Sequence, residues 1–308
     1  MEERQISDFV VITLGMFITW LSVGLRCYVR IFVSRTFGSD DYWMVLALFL
    51  FTAASGIGYT GIHYGIGVHA KNLNYNQLIN GAKYEVVLEL IYIFCTVVIK
   101  TSVGLLLLRI TSVKPFYKYL IWYSIAILWV WALLTFIVVC LQCRPLEAVW
   151  NPLVQGKCLE PSLITAFAYA ISAETIFFDW FFSLLPIPML WNIKMTTQSK
   201  ISVMAILSVG IVASSATIVR LKYLVAFENL TDPLYSISPV FLWSSIELSL
   251  GITAASIATL RPLLRSWHII GFTSDRDSSN DPQRPRSSGD SENNHQICIR
   301  SRAIVRVA

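Results

Sequence analysis

Residues 84–108 read YEVVLELIYIFCTVVIKTSVGLLLL. The run is long enough to cross the roughly 30 Å hydrocarbon core of a bilayer, for which about 20 apolar residues suffice. Yet it carries Glu85, Glu89 and Lys100. A central Lys or Asp costs roughly 2.5 to 3.5 kcal/mol on insertion scales, so such groups turn toward a protein interior or water rather than toward lipid. Glu85 and Glu89 are four residues apart, and Glu89 and Lys100 are eleven apart, close to three turns. All three therefore share one helix face. A span with one polar stripe needs partners, so this stretch predicts a bundle of membrane helices.

Outward from it, six further apolar runs occupy residues 9–27, 42–62, 119–141, 163–191, 201–225 and 239–260. With 84–108 they predict an all-α polytopic membrane protein, a bundle of seven transmembrane helices. No basic n-region or small-residue cleavage site accompanies 9–27, so it reads as a retained span. Residues 1–8 are expected to form an extracellular N-terminus and 9–265 the transmembrane domain. The composition agrees: of 308 residues, 55% are hydrophobic and 14% charged, against roughly 25% charged in soluble domains. No room remains for a second soluble domain, and the formal net charge of +5 bears on orientation rather than on nucleic acid.

Sixteen Lys and Arg fall after spans one, three, five and seven, seven fall on the opposite side, and Lys100 lies inside a span. Basic residues favour the cytoplasmic side. The N-terminus is therefore expected outside and the C-terminus in the cytoplasm. Residues 266–308 turn to Ser, Asp, Arg, Asn and Pro, too polar for a core, and read as a disordered cytoplasmic tail. Gly38, Ser39, Asp40 and Asp41 read as a cap for the second span, and Pro186 with Pro188 as a kink near the inner end of the fifth.

Of six cysteines, Cys143 and Cys158 fall in an outer loop, on an oxidising side where a disulfide is the natural reading. Cys140 is the competitor for Cys158. Asn229-Leu230-Thr231 is a glycosylation sequon on the predicted outer side. His63 and His69 read as loop residues, and no metal site is expected. Glu174, Asp179 and Glu247 join Glu85, Glu89 and Lys100 as intramembrane charges. Lys100 and Asp179 each lie sixteen residues into inward-running spans, at about equal depth. A Lys100–Asp179 ion pair is expected, with Glu89 and Glu247 facing inward. An equal alternative is that all six serve only to fix helix packing.

Retinal is not expected as a cofactor, because residues 239–260 hold no lysine for a Schiff base. The order of several motifs instead resembles the fungal rhodopsin-domain integral membrane proteins, a family that includes the satratoxin-cluster membrane protein and appressorium-receptor-like proteins. Arg26-x-Tyr28-x-Arg30 is followed by Gly38-x-Asp40-Asp41-Tyr42, Gly65-x-Gly67-x-His69, Lys100-x-Ser102 and Leu108-Arg109-Ile110. Then come Cys143-x-Pro145, Trp150 and Cys158, Asp179 before Pro186-x-Pro188, Arg220, Trp243 and Glu247. The likeness runs from about residue 9 to 267 and omits the tail.

That resemblance implies seven spans without retinal and a receptor-like or accessory role in a secondary-metabolite gene cluster. Its partners would be the lipid bilayer, a small-molecule ligand in the bundle, and cytosolic signalling or biosynthetic proteins at the tail, in the plasma membrane or an endomembrane. Two alternatives stand beside it: a metabolite carrier, and an intramembrane enzyme of terpene-cyclase type with Glu89, Asp179 or Glu247 as the acid. An enzyme calls for a closed, aromatic-lined pocket of a few hundred Å³ with one of these acids at its wall and no cation nearby. A receptor calls for a pocket open outward. The orientation is checked by protease treatment of sealed vesicles carrying a C-terminal tag: cleavage is expected only from the cytosolic face.

Overall fold

A computed structural model describes residues 3–110, 115–151, 153–190, 215, 217, 219 and 233–259. The chain divides into two units, Met1–Ile270 and Gly271–Ala308, and every described residue belongs to the first. Its elements are α1 (Glu3–Tyr28) with a π-helical turn at Val29–Val33, α2 (Ser39–His63), α3 (Tyr75–Ile110), α4 (Pro115–Leu141), α5 (Pro161–Leu184), a short α6 (Pro186–Leu190) and α7 (Pro233–Ile257). Among the described residues, six helices are long and apolar enough to cross a membrane. The expected sixth span, 201–225, lies outside the described residues apart from 215, 217 and 219. So do the tail from residue 266 and the sequon at Asn229. The described part is an all-α, multi-pass membrane fold.

The helices run past the apolar segments that predict them. α1 starts at Glu3, inside the expected extracellular N-terminus. Gln5 and Asp8 are buried: the Gln5 amide donates to the Ile62 carbonyl at 2.8 Å and Ser238 Oγ donates to Asp8 Oδ2 at 2.8 Å. Polar residues with partners of this kind extend a helix that hydropathy alone ends at Phe9. α3 has 36 residues, about 54 Å at 1.5 Å per residue, well beyond the hydrocarbon thickness. α7 begins at Pro233, six residues before the expected start, and carries Pro239 inside it. A proline removes the N–H that would bond four residues back, here to Tyr235. Arg4 Nη1 donates to the Tyr235 carbonyl instead, at 3.1 Å. At the far end of α5, the helix ends at Leu184 and α6 restarts at Pro186, where Pro186 and Pro188 withhold two donors.

Two apolar clusters hold the bundle. One joins α1, α2, α3 and α7 through residues such as Met44, Phe51, Val98 and Ile252; the other joins α3, α4 and α5 through Ile121, Leu128, Phe178 and Phe182. Large apolar side chains such as Phe17, Leu21, Trp122 and Val130 are exposed, as a surface facing lipid tails permits.

Where α1 ends and α2 begins, charges close the first cluster. Arg26, 1% exposed, spreads its fork over the first turn of α2: Nη2 meets Asp40 Oδ2 and Nε meets Asp41 Oδ1, both at 2.7 Å. Nη1 donates to the Ala255 carbonyl of α7 at 2.8 Å. Arg30, on the π-turn, lies 3.3 Å from Asp40 Oδ2, and Arg109 of α3 lies 3.4 Å from Asp40 Oδ1. Ser102 Oγ donates to the Asp40 carbonyl at 2.6 Å. Asp41 also caps α2, its Oδ2 accepting the Gly38 N–H at 3.0 Å. α1, α2 and α3 thus meet on two carboxylates, which sit where the α2 dipole favours negative charge, and Arg26 links α7 to them. Removing one partner of a buried pair strands the other charge. Arg26→Met is therefore expected to cost about 3–5 kcal/mol. Arg109→Met, whose side chain is 38% exposed, is expected to cost about 1 kcal/mol or less. Denaturant unfolding of the protein in micelles compares the two.

Candidate functional site

Lys100 is the centre of the candidate site. Its position on α3 points the side chain at α5, where Nζ donates to the Thr175 carbonyl at 3.1 Å and lies 3.2 Å from Asp179 Oδ1. The two side chains are 8% and 14% exposed. At this depth an ammonium without partners would be costly. The carboxylate and a backbone oxygen supply them.

A cavity of about 110 Å³ opens beside the pair, between α3, α5 and α7. Lys100, Asp179 and Glu247 are all in its wall. Glu247, on α7, is buried and accepts a hydrogen bond from the Tyr92 hydroxyl at 3.0 Å. A smaller cavity of about 30 Å³ has Glu174, Thr175, Tyr92 and Trp131 in its wall. Lys100 and Thr96 contribute to the walls of both. Among the described residues, Thr96 and Ser183 are also in the wall of the larger cavity, and the rest is apolar, with Val103, Leu106, Leu107, Phe178 and Phe182 from α3 and α5 and Gly251, Ala254, Ala255 and Ala258 from α7.

Glu89 departs from expectation. It is exposed and Glu85 is half-buried, and neither lines the cavity. About 20 residues span the hydrocarbon, and counting back from Arg109 puts Glu89 near the other end of the apolar stretch of α3. Periodicity tells which residues share a face; it does not tell where along the helix that face is covered.

The loop between α4 and α5 is closed by a disulfide between Cys143 and Cys158. These residues sit opposite each other in a short antiparallel ribbon, Cys143–Arg144 against Lys157–Cys158. Cys140 is a free thiol. The Tyr75 hydroxyl donates to Asn151 Oδ1 at 3.1 Å and so ties the start of α3 to this loop. Before α3, Gly65 and Gly67 take positive φ of 108° and 88°, conformations that glycine adopts freely. They bring His69 onto the Tyr235 ring, 3.6 Å between centroids, with the Arg4 guanidinium 3.8 Å from the same centroid. Two groups that close to one centroid must occupy opposite faces, so Tyr235 is sandwiched. Among the described residues no cluster of His, Cys, Asp and Glu has the geometry to hold a metal ion.

Three features were not singled out from the residue pattern. Tyr92 is the partner of Glu247, but nothing in the chain says which carboxylate a span-three phenol reaches. Arg26 and Arg30, one turn apart, do have a visible signal in the adjacent Asp40-Asp41. The small residues 251, 254, 255 and 258 follow the i, i+3, i+4, i+7 spacing of a single helix face, a legible sign that something lies against them.

Lys100→Met alone leaves Asp179 in place without its cation, whereas Lys100→Met with Asp179→Leu leaves no unmatched charge. The single variant is expected to be less stable than the double variant, by about 2 kcal/mol or more. Thermal unfolding in the same detergent decides the order.

A family model described as the fungal rhodopsin domain matches residues 25–266. The chain is 28% identical to a SAT4 family membrane protein of Emericella nidulans, across 66% of this chain and 51% of that protein. It is 24% identical to the fugralins biosynthesis cluster protein 2 of Gibberella zeae, across 85% of this chain and 66% of the relative. It is also 24% identical to the receptor GIN3 of Arthrobotrys oligospora, across 80% and 59%. The chain thus spans about half to two thirds of the length of these curated relatives. No solved structure matches it. The matched segment contains α2 to α5, α7, the Arg26–Asp40–Asp41 network and the Lys100–Asp179 pair, and on that match the chain belongs to the fungal rhodopsin domain family.

Proposed function

We propose that the protein is a non-photochemical, seven-span component of fungal secondary metabolism, receptor-like or accessory rather than catalytic, with its N-terminus outside and its tail in the cytosol. The observation that carries this reading is the state of the intramembrane acids. Asp179 is held by Lys100, Glu247 by the Tyr92 hydroxyl, and Glu89 lies away from the cavity. Such pairings hold helices in register and do not converge on a reacting atom. The cavity, about 110 Å³, is below the few hundred Å³ that enclose a cyclisation substrate. The names of two relatives, a biosynthesis cluster protein and a receptor, fall in the same two classes. Retinal has no attachment point on α7, which lacks lysine, and Lys100 is engaged by Asp179 and Thr175.

Enzymatic activity is the second reading, favoured by one feature: Glu247 is a buried acid in the cavity wall with a phenol beside it. Deletion of the gene, with profiling of extracted metabolites and complementation by Glu89→Gln, Asp179→Asn, Glu247→Gln and tail-truncated forms, separates the two. A receptor-like or accessory protein is expected to change the amounts of cluster products and to depend on the tail. Accumulation of an uncyclised precursor in the Glu247→Gln strain, converted by purified wild-type membranes, would replace this reading with the enzyme.

A further inference from the structure

The turn between α1 and α2 carries more positive charge than the fold consumes. Arg26, Arg30 and Arg109 surround Asp40 and Asp41, and Arg35 follows on the same turn, so four guanidinium groups share this end of the bundle with two carboxylates. Arg30 Nη1 and Arg109 Nη2 both donate to the carbonyl of Thr36, at 3.3 and 2.7 Å, and Thr36 is the residue next to Arg35. Arg26 and Arg30 are buried. The Arg109 side chain is open over 38% of its surface, and Arg35 is exposed, its side chain making no ion pair or hydrogen bond among the described residues.

The backbone sets Arg35 apart as well. The π-helical turn closes with the Ser34 N–H donating to the Val29 carbonyl at 2.8 Å and the Thr36 N–H to the Arg30 carbonyl at 2.9 Å, a helix end of the kind that wraps around a left-handed residue. Arg35 takes that conformation, with a φ of 49°, and among the described residues no other side-chain-bearing residue has a positive φ. Glycine adopts it without strain. The favourable place for a cation at a helix C-terminus is already filled by Arg26 and Arg30. A strained arginine that binds nothing within the fold points to a partner outside it.

The surroundings are those of a bilayer edge. The stretches of α1, α2 and α3 that are long and apolar enough to cross a membrane end at Val33, begin at Ser39 and end at Arg109. Ile31, Phe32 and Val33, just before Arg35, are exposed, as is Tyr42 at the start of α2. Exposed apolar and aromatic side chains beside an exposed arginine mark the level at which hydrocarbon gives way to head groups. Lipid phosphates lie at that level, and their oxygens match the guanidinium fork. The excess of positive charge favours a head group of net negative charge over a zwitterionic one, whose own ammonium offsets its phosphate.

We propose that the α1–α2 turn binds one anionic phospholipid, with the phosphate held by Arg35 and Arg109 and the acyl chains against Ile31, Phe32 and Tyr42. The site is separate from the cavity at Lys100, and it stands whether the protein is a receptor, an accessory component or an enzyme. Because Arg109 also meets Asp40, the bound lipid is coupled to the network that joins α1, α2 and α3.

The test is native mass spectrometry of the full chain in detergent, titrated with dioleoyl phosphatidylserine and, separately, with dioleoyl phosphatidylcholine. The serine lipid is expected to bind as one saturable equivalent at about tenfold lower concentration than the choline lipid, and inorganic phosphate at the same concentration is expected to leave it in place. Arg35→Gly is expected to weaken the serine lipid about fivefold, the factor for one basic residue at a membrane surface, while its thermal midpoint in lipid-free detergent stays the same or rises. Lys71→Ala removes an exposed positive charge just before α3 begins, at the end of that helix away from Arg109, and is expected to leave the affinity unchanged. Equal binding of the two lipids, an Arg35→Gly affinity within about twofold of the unsubstituted protein, or an equal loss in Lys71→Ala overturns the proposal. Displacement by inorganic phosphate assigns the site to a free anion and overturns the lipid. A lowered thermal midpoint in Arg35→Gly assigns the side chain to the fold and overturns it too.

Discussion

Arg26 against Asp40 and Asp41 is the interaction on which the described bundle depends. Apolar side chains have no preference for one another over lipid tails, so hydrophobic burial does not by itself choose which helices meet in a membrane. Directional polar contacts do. Arg26 has a fork with two edges and a third donor; two edges take the carboxylates that open α2, and the third takes a carbonyl of α7. Ser102 and Arg109 bring α3 to the same aspartate. The planar guanidinium is suited to this in a way that an ammonium is not. Because Asp41 also caps α2, local helix initiation and tertiary assembly share one side chain.

Lys100 and Asp179 do for α5 what Arg26 does for α7. α5 reaches α3 at a level where the alternative for Lys100 is hydrocarbon, and the pair forms with a backbone carbonyl as third member. Placing this pair at the wall of a cavity has a chemical effect. The space beside it is walled mostly by apolar side chains among the described residues, with Thr96, Lys100, Asp179, Ser183 and Glu247 set among them, the usual make-up of a small-molecule site.

The opposite face of the bundle is held by contacts of another kind. Pro239 leaves the Tyr235 carbonyl without its helical donor, and Arg4 supplies one while lying over the same tyrosine's ring. His69, delivered by the turn at Gly65 and Gly67, covers the other face of the ring. Gln5 and Ser238 complete the seam between α1, α2 and α7. The disulfide-closed loop between α4 and α5 joins the start of α3 through Tyr75 and Asn151. Each end of α7 is thereby fastened to α1 by an arginine, Arg4 at one end and Arg26 at the other.

Hydropathy in the sequence by itself determined that this is a helical, multi-pass membrane protein, because about 20 consecutive apolar residues have no other stable arrangement in a bilayer. It also pointed to Cys143 with Cys158 and to Lys100 with Asp179, since oxidising loops and buried charges each leave few choices of partner. Helix ends were not legible: Gln5, Asp8 and the first turns of α3 are polar, and they are helical because of what they touch. Nor was the exposure of Glu89, which shares a face with Lys100 but sits where that face is not covered. The residues of the Arg26 network and the small-residue face at Gly251, Ala254, Ala255 and Ala258 are visible in the sequence, but their partners and the cavity beside them were decided by tertiary structure. A chain records which residues line one side of a helix, and only the crossing of helices determines which of those sides meet and what space is left between them.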